Sequence, residues 1–218
     1  RPKPKKFIEK SRPGSQMLCL SFSAGGFFMA AGGNDHTIRV YYMDHLGPRK
    51  LHELEYHSNW VDSILFANRS DRFLSGSKDG TAVIWSLDDN FKWSAQQIDG
   101  SKTFQRVKFD KLLNLRIKKR EPVTMVAWNC DDTLVITSQT NLIIKVWNST
   151  DTHLVHELIG HTEDIYVLET HPRDPRILLS ASHDGHLMLW NLLNGELLRE
   201  FYNPVENEGR NEDNEGHA

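Results

Sequence analysis

The chain repeats one sequence pattern four times, at residues 17–42, 61–85, 123–147 and 165–190. Each copy contains an apolar strand, a small turn, a second strand, a polar turn and a third strand that ends in an aromatic residue. An Asp or Asn precedes that aromatic by six residues in every copy: Asp35 and Tyr41, Asp79 and Trp85, Asn141 and Trp147, Asp184 and Trp190. A chain with this organisation must stack similar units side by side, because one unit cannot bury its own apolar face.

The spacing of the copies predicts a particular all-β architecture. The acidic or amide residues lie 44, 62 and 43 residues apart, and repeats of about 40–45 residues are typical of the four-stranded blades of a WD-repeat β-propeller. We therefore predict about four four-stranded blades, at about 17–55, 61–98, 123–159 and 165–202, within a WD-repeat region of 13–202.

Residues 1–12 resemble the outer strand of a preceding blade, so the sequence favours part of a larger ring of 7–8 blades over a closed ring of four. The interval of 62 residues predicts an insertion at 88–121. The first residue is Arg1 and not Met, which is consistent with a fragment of a longer protein.

The composition excludes several other classes. No apolar run approaches the length that crosses a membrane, about 18 residues, so no membrane partner is expected. A net charge of -3 gives no general attraction to nucleic acid. Two cysteines, Cys19 and Cys130, without zinc-type spacing indicate a reducing, intracellular compartment and no disulfide framework.

Two copies carry a His, a Ser pair, an Asp and a Trp, which invites comparison with a hydrolase triad. The residues are His57, Ser75, Ser77, Asp79 and Trp85 in the second copy, and His161, Ser180, Ser182, Asp184 and Trp190 in the fourth. Recurrence at the repeat period favours a structural hydrogen-bond network of the WD-repeat type, since an enzyme needs one site. The sequence leaves open which Ser of each pair takes part, because residues two apart share a strand face.

The other two copies lack parts of this set. The first copy has Tyr41 in place of Trp and no preceding His, and the third has Asn141 in place of Asp and no His. These two blades are expected to depend more on apolar packing.

No cofactor, metal or catalytic residue is predicted. His153, His156 and His161 are close in sequence but lack thiol or carboxylate partners in a metal-binding pattern. The Gly-rich segment 30–34 aligns with a strand and its turn in the other copies, and no phosphate-binding motif occurs.

The predicted binding surface is the end of the propeller where the loops before the first strands meet the turns between the second and third strands. Other proteins or peptides are the expected partners. The candidate contact residues are Trp60, Asn59, Lys78, Glu163, Asp164 and His183, and the same end also carries Asn34, Asp35, His36 and Thr140. Trp60 is either an interface anchor or a wedge between blades, and the sequence does not decide between the two.

Two segments fall outside the repeats. The basic part of the insertion, 106–120, interleaves Lys and Arg with apolar residues, which indicates a solvated loop, a short amphipathic helix or a docking segment. Direct nucleic-acid contact is expected at most weakly, and only there. The polar, acidic tail 203–218 has the composition of a disordered segment.

Several motifs resemble the propeller of bromodomain and WD-repeat-containing proteins, among them DHTIRVYY, FLSGSKDGTAVIW and HPRDPRILLSASHDG. The resemblance covers nearly the whole chain and would place it in the later blades of that propeller. It implies a nuclear, chromatin-associated scaffold that regulates transcription and cell shape and serves as a substrate receptor of cullin-4 ubiquitin ligases. Chromatin proteins and a ligase adaptor are the partners it implies.

One departure weakens the ligase part of this interpretation. Adaptor docking in such receptors often uses Trp-Asp-x-Arg, but the repeats here end in WSLD, WNST and WNLL. The alternatives are a WD-repeat adaptor of an unrelated complex and, in a different class, a Ser-His-Asp hydrolase, which lacks the Gly-x-Ser-x-Gly motif here.

Overall fold

The computed structural model describes residues 14–69, 72–87, 92–98 and 120–202, and within these ranges it contains sixteen β-strands and no helix. The strands form four antiparallel sheets of four strands, and neighbours along the chain pair in each sheet. This confirms the predicted all-β, WD-repeat type of fold. Each sheet begins at an inner strand and ends at an outer strand, and the inner strands of successive sheets contact one another.

Sheet 1 contains β1 (Met17–Phe22), β2 (Phe28–Gly33), β3 (Thr37–Asp44) and β4 (Gly47–Glu55). Sheet 2 contains β5 (Val61–Phe66), β6 (Arg72–Ser77), β7 (Ala82–Leu87) and β8 (Trp93–Ile98). Sheet 3 contains β9 (Val123–Trp128), β10 (Leu134–Gln139), β11 (Ile144–Asn148) and β12 (Leu154–Leu158). Sheet 4 contains β13 (Ile165–Thr170), β14 (Ile177–Ser182), β15 (His186–Asn191) and β16 (Leu197–Tyr202).

Some predicted segments fall outside the described residues. These are the outer strand at 1–12, the tail at 203–218 and the part of the insertion at 99–119. Within the predicted insertion of 88–121, however, β8 pairs with β7 along its whole length and completes sheet 2. The segment without a counterpart in the other repeats therefore begins after Ile98.

Apolar side chains between neighbouring sheets form the core. Three buried clusters join sheet 1 to sheet 2, sheet 2 to sheet 3, and sheet 3 to sheet 4. The aromatic that ends each repeat belongs to the cluster shared with the preceding sheet, as Trp85, Trp147 and Trp190 show. The repeat motif therefore supplies the contact between one sheet and the sheet before it.

Two glycines permit neighbouring sheets to approach closely. A Cβ on Gly32 would lie 2.6 Å from Val61 of the next sheet, and a Cβ on Gly76 would lie 2.7 Å from Val123. These distances are shorter than a carbon–carbon contact allows, so any side chain at either position would push the sheets apart.

The outward face of sheet 4 lacks such a cover in the described part of the chain. In sheet 2, Leu74 and Ile84 are 0% and 1% exposed because sheet 3 packs on them. Their counterparts in sheet 4, Leu179 and Leu189, are only half-buried, and Phe201 of the outer strand is 47% exposed.

Among the described residues, nothing covers the opposite face of sheet 1 either. Cys19 and Ser21 of β1 form hydrogen bonds with sheet 2, so Leu20 and Phe22, which alternate with them, point to the other side. These two side chains are 60% and 51% exposed. Exposed apolar residues on the faces of both terminal sheets fit an arc of a larger ring.

No helix in the described ranges has the length and apolar character needed to cross a membrane.

Candidate functional site

The same backbone hydrogen bond joins two loops at one end of every sheet. A backbone amide of the turn between the second and third strands donates to the carbonyl of the residue immediately before the inner strand: Asn34 to Gln16, Lys78 to Trp60, Thr140 to Pro122 and His183 to Asp164, at 2.9–3.1 Å. We call this end the loop-end surface; it comprises residues 14–16, 34–36, 56–60, 78–81, 120–122, 140–143, 159–164 and 183–185. The repeat thus builds a shared frame from backbone groups alone.

The side chain of the repeated Asp or Asn shapes each of these turns. Its Oδ1 accepts a hydrogen bond from the amide two residues later, from Thr37 to Asp35, Thr81 to Asp79, Ile143 to Asn141 and His186 to Asp184. The residue after it has a positive φ in all four sheets: His36, Gly80, Leu142 and Gly185. An Asx turn of this kind explains why Asp or Asn recurs at the position.

Sheet 2 contains a directional chain of side-chain hydrogen bonds. The indole Nε1 of Trp85 donates to Ser75 Oγ at 2.9 Å, and Ser75 Oγ lies 2.7 Å from Nε2 of His57. The Asp79 carboxylate only accepts, so Nδ1 of His57 carries the hydrogen that points to it at 3.2 Å and to Thr81 Oγ1 at 2.9 Å. In a ring with this single N–H, Nε2 accepts the hydrogen of Ser75. Asp79 also accepts from the backbone amide of Ser58 at 2.8 Å.

Sheet 4 repeats this chain with the same geometry. Trp190 donates to Ser180 at 2.9 Å, Ser180 lies 2.7 Å from Nε2 of His161, and Nδ1 of His161 lies 3.0 Å from Asp184. The backbone amide of Thr162 donates to Asp184 at 2.9 Å. Ser75 and Ser180 are both 0% exposed, so each hydroxyl lies inside its sheet packing.

The second serine of each pair has a different role. Ser77 Oγ donates to the backbone carbonyl of Asn59 and accepts from the amide of Asp79. Ser182 does the same with Glu163 and Asp184. The first serine therefore connects His to Trp, whereas the second fixes the turn to the loop before the inner strand.

Both network aspartates have lowered pKa values. Burial raises the pKa of Asp79, but hydrogen bonds from His57, Thr81 and the Ser58 amide outweigh burial and hold it well below its usual range. For Asp184 burial also raises the pKa, while donors from Thr162, His186 and His161 lower it to about 2. Both side chains are therefore carboxylates at neutral pH.

Sheet 1 satisfies its aspartate in another way. Asp35 forms a bidentate ion pair with Arg39, at 2.6 and 3.2 Å, and the two side chains are 7% and 4% exposed. The Arg39 hydrogen bond is the main reason that the pKa of Asp35 is lowered. The expectation that this blade depends on apolar packing in place of a polar network misses this buried pair.

Sheet 3 retains only one bond of the chain. Trp147 Nε1 donates to Thr137 Oγ1 at 3.0 Å, while Asn141 is exposed and, among the described residues, accepts only from its own turn.

On the loop-end surface, three predicted contact residues of sheet 2 lie together. Trp60 is 41% exposed, and Lys78 Nζ lies 3.9 Å from the centroid of its ring. Asn59 Oδ1 accepts from the Trp60 amide at 2.8 Å. Lys78 also approaches Asp62 at 3.9 Å, and burial raises the pKa of that carboxyl.

The other three predicted contact residues form a separate group. Glu163, Asp164 and His183 line an open cleft of about 450 Å³ together with Leu142 and Thr162. The imidazole of His183 lies 4.7 Å from the ring of Tyr166, which is 52% exposed. The sequence analysis missed Tyr166, although its position in β13 matches that of the half-exposed Asp62 in β5.

The predicted surface therefore consists of an aromatic–cationic patch on sheet 2 and an acidic–aromatic patch on sheet 4. No group of three or more His, Cys, Asp or Glu residues suited to hold a metal ion occurs within the described ranges.

Comparison with known proteins follows the repeat pattern. The family model of the WD domain, G-beta repeat, matches residues 7–41, 48–86 and 152–191, just over half of the chain. Each matched range extends to the third strand of a sheet, and none covers 123–148 of sheet 3, where the Asp and His are absent.

Individual relatives share this region. A bromodomain and WD repeat-containing protein of Dictyostelium discoideum is 31% identical over 191 residues, 86% of this chain. The F-box-like/WD repeat-containing protein TBL1X of Mus musculus is 27% identical over 71% of the chain. The human NACHT domain- and WD repeat-containing protein 1 is 32% identical over 34% of the chain.

The chain spans only 8%, 28% and 5% of the lengths of these three relatives, respectively. The first match confirms the resemblance to bromodomain and WD-repeat-containing proteins that the motifs indicated. With the repeat model matched over more than half of its residues and four sheets of the expected kind, the chain belongs to the WD-repeat family.

Proposed function

We propose that the chain is a non-catalytic protein-interaction module whose loop-end surface binds other proteins or peptides. The observation that carries the proposal is the exposed Trp60, which is held in place by its neighbours and yet leaves much of its ring in solvent. Large aromatic side chains with this exposure are favoured anchors at protein interfaces.

The geometry around Trp60 supports an anchor more than a wedge between sheets. A wedge would be buried, as Trp85 is at 4% exposure, whereas Trp60 is 41% exposed. Lys78 over the ring and Asn59 at the backbone limit the conformations of the free protein. Less conformational entropy is then lost when a partner binds.

The burial of the serines supports a non-catalytic role. Ser75 and Ser180 are fully buried, and each already binds an indole and an imidazole. A hydrolase needs a nucleophile that a substrate can reach. Labelling of either serine by an active-site phosphonate would revive the hydrolase alternative.

The finer biological assignment rests on the relatives. The name of one includes a bromodomain and that of another an F-box-like domain, which supports a nuclear, chromatin-associated regulator of transcription. A cullin-4 ligase substrate-receptor role and a role in cell shape are proposed from the family resemblance of the motifs, and not from the names of the relatives. The repeat endings WSLD, WNST and WNLL count against docking of a ligase adaptor through these sheets.

The alternative is a WD-repeat adaptor of an unrelated complex, which the same surface would serve equally well. The basic segment 106–120 lies outside the described residues apart from Arg120, and a weak nucleic-acid contact there stays a prediction.

Affinity capture with the full chain tests the proposed surface. Trp60→Ala should lose a defined subset of the captured proteins, and Lys78→Ala should weaken the same subset. The matched control is Leu46→Ala, because Leu46 is 74% exposed in the β3–β4 turn, outside the loop-end surface. An identical set of proteins with Trp60→Ala and wild type would contradict the proposal.

A further inference from the structure

A pocket of about 260 Å³ lies between sheet 2 and sheet 3, beneath the loop-end surface. Ala82 and Ile98 of sheet 2 and Val123 of sheet 3 form its apolar wall. Thr137, Gln139 and Trp147 of sheet 3 supply its polar groups. The pocket therefore combines apolar walls with a small number of polar atoms, as ligand sites do.

Two of these polar atoms have unused hydrogen-bonding capacity. Thr137 Oγ1 accepts from Trp147 at 3.0 Å, and its own hydrogen has no acceptor within the described ranges. Gln139 donates through Nε2 to the backbone carbonyl of Glu121, while its Oε1 is buried and has no partner among the described residues. The pocket thus offers one donor and one acceptor, and a buried acceptor without a partner is costly.

The neighbouring repeats show what chemistry the threonine position suits. In sheets 2 and 4 the equivalent hydroxyls, Ser75 and Ser180, lie 2.7 Å from Nε2 of a histidine. Those histidines precede the inner strand by four residues. In the third repeat that sequence position is Lys119, outside the described residues, so the repeat itself has no histidine at this position.

We propose that this pocket binds the neutral imidazole ring of a histidine supplied by a bound protein. One ring nitrogen accepts from Thr137 Oγ1, and the N–H of the other donates to Gln139 Oε1. The Cα atoms of residues two apart on a strand are about 7 Å apart, and a small ring with a hydrogen bond on each side spans a similar distance. The inference deepens the proposed function, on which it rests for the source of the ring.

The required form of the ring follows from its two partners. A protonated imidazolium has two donors and no acceptor, so it cannot receive the Thr137 hydrogen. The charged groups lining the pocket are Arg120, Glu121 and Lys145, and Lys145 forms an ion pair with Glu157 at 3.4 Å. The bound ring is therefore the neutral one.

The test is an NMR titration of the full chain, labelled with nitrogen-15, at pH 8. The probe added to it is N-acetyl-histidine methylamide. We expect a saturable shift of the Trp147 indole resonance with little change at Trp85 and Trp190, whose hydroxyl partners already bind a histidine. No saturable shift at Trp147, or equal shifts at all three tryptophans, would overturn the proposal.

Two controls assign the contacts. Thr137→Val keeps the side-chain shape and removes the hydroxyl, so affinity should fall roughly three- to tenfold. If this variant does not fold, a ring-methylated histidine without an N–H, titrated into wild type, should show a similar loss through Gln139. Unchanged affinity in these controls, or tighter binding of N-acetyl-glutamine methylamide, would refute an imidazole site. Trp60 does not line this pocket, so the affinity-capture experiment tests the proposed function separately. A negative result in the histidine titration would therefore leave the proposed function unaffected.

Discussion

Sheets 2 and 4 satisfy their turn aspartate with a histidine, sheet 1 satisfies it with an arginine, and sheet 3 has an asparagine that needs neither. The Asx turn is common to all four sheets, whereas the bonds beyond it differ. The carboxylate demands a cationic or donor partner once it is buried, as Asp35 and Asp184 are. An exposed amide at Asn141 carries no such demand. The repeat therefore fixes the turn and leaves the means of charge compensation free to vary.

The largest expected effect is in sheet 1. Arg39→Leu removes one partner of a buried ion pair and leaves Asp35 uncompensated, which should reduce the free energy of unfolding by about 3–5 kcal/mol. The matched control is Arg176→Leu, which removes an ion pair with Asp174 at 2.8 Å whose arginine is 57% exposed. Exposed pairs contribute about 0–1 kcal/mol. Equal denaturation midpoints for the two variants would show that the buried pair has no special role.

Replacement of the repeated turn residue should reduce stability much more in sheet 4 than in sheet 3. Asp184→Ala leaves His161 and the amides of Thr162 and His186 without their acceptor, so a loss of about 3 kcal/mol is expected. Asn141→Ala removes one exposed turn bond and should cost about 0.5 kcal/mol. Urea denaturation of both variants measures the difference, and an Asp184→Ala midpoint at the wild-type value would count against a structural network.

The hydroxyl group that accepts from the tryptophan indole gives a smaller difference in stability between sheets 2 and 3. Ser75→Ala leaves the Trp85 indole and Nε2 of His57 without their partner, at a cost of about 2 kcal/mol, whereas Thr137→Val leaves only the Trp147 indole without one, at about 1 kcal/mol. Thermal unfolding of the two variants checks the order. A larger loss in Thr137→Val would mean that the histidine bond adds nothing to sheet 2.

The smallest effect is the pH dependence of Asp184. Its pKa is lowered from 3.8 to about 2, so its stabilising contribution is complete above about pH 4 and is lost as the pH falls toward 2. Between pH 6 and pH 3 the Tm of the wild type should therefore fall by about 2 °C more than the Tm of Asp184→Asn. Parallel pH profiles would indicate that this carboxylate has the same pKa in the folded and unfolded chains.

The repeat spacing was sufficient to predict the class of fold, since period-two strands and Asp-Gly turns are local signals. It did not reveal which serine binds histidine, because Ser75 and Ser77 share a face and only the position of the neighbouring loop distinguishes them. Arg39 was a visible signal, a charged residue within the otherwise uncharged strand TIRVYY. Its partner Asp35 was considered only as the repeated turn residue and as part of the loop end.

The features that the sequence did not predict depend on contacts between neighbouring sheets. The absence of His in the third repeat was evident from the sequence, but the pocket that accompanies it also needs Ala82 and Ile98 from sheet 2. The exposure of Tyr166 likewise depends on the path of β13 past its neighbours. A single repeat contains no information about these distances, which neighbouring sheets set together.

Within the chain, each contact between sheets joins one face of a sheet to the opposite face of its neighbour. The open apolar faces of sheets 4 and 1 correspond to these two different sides. Wherever they remain uncovered, the face bearing Phe201 on one copy can receive the face bearing Leu20 on the next. Such head-to-tail contacts do not use the same patch twice, so they lead either to closed assemblies or to growing filaments. Among the described residues the two faces therefore form an unlike pair, and covering either one would prevent head-to-tail contacts of this kind.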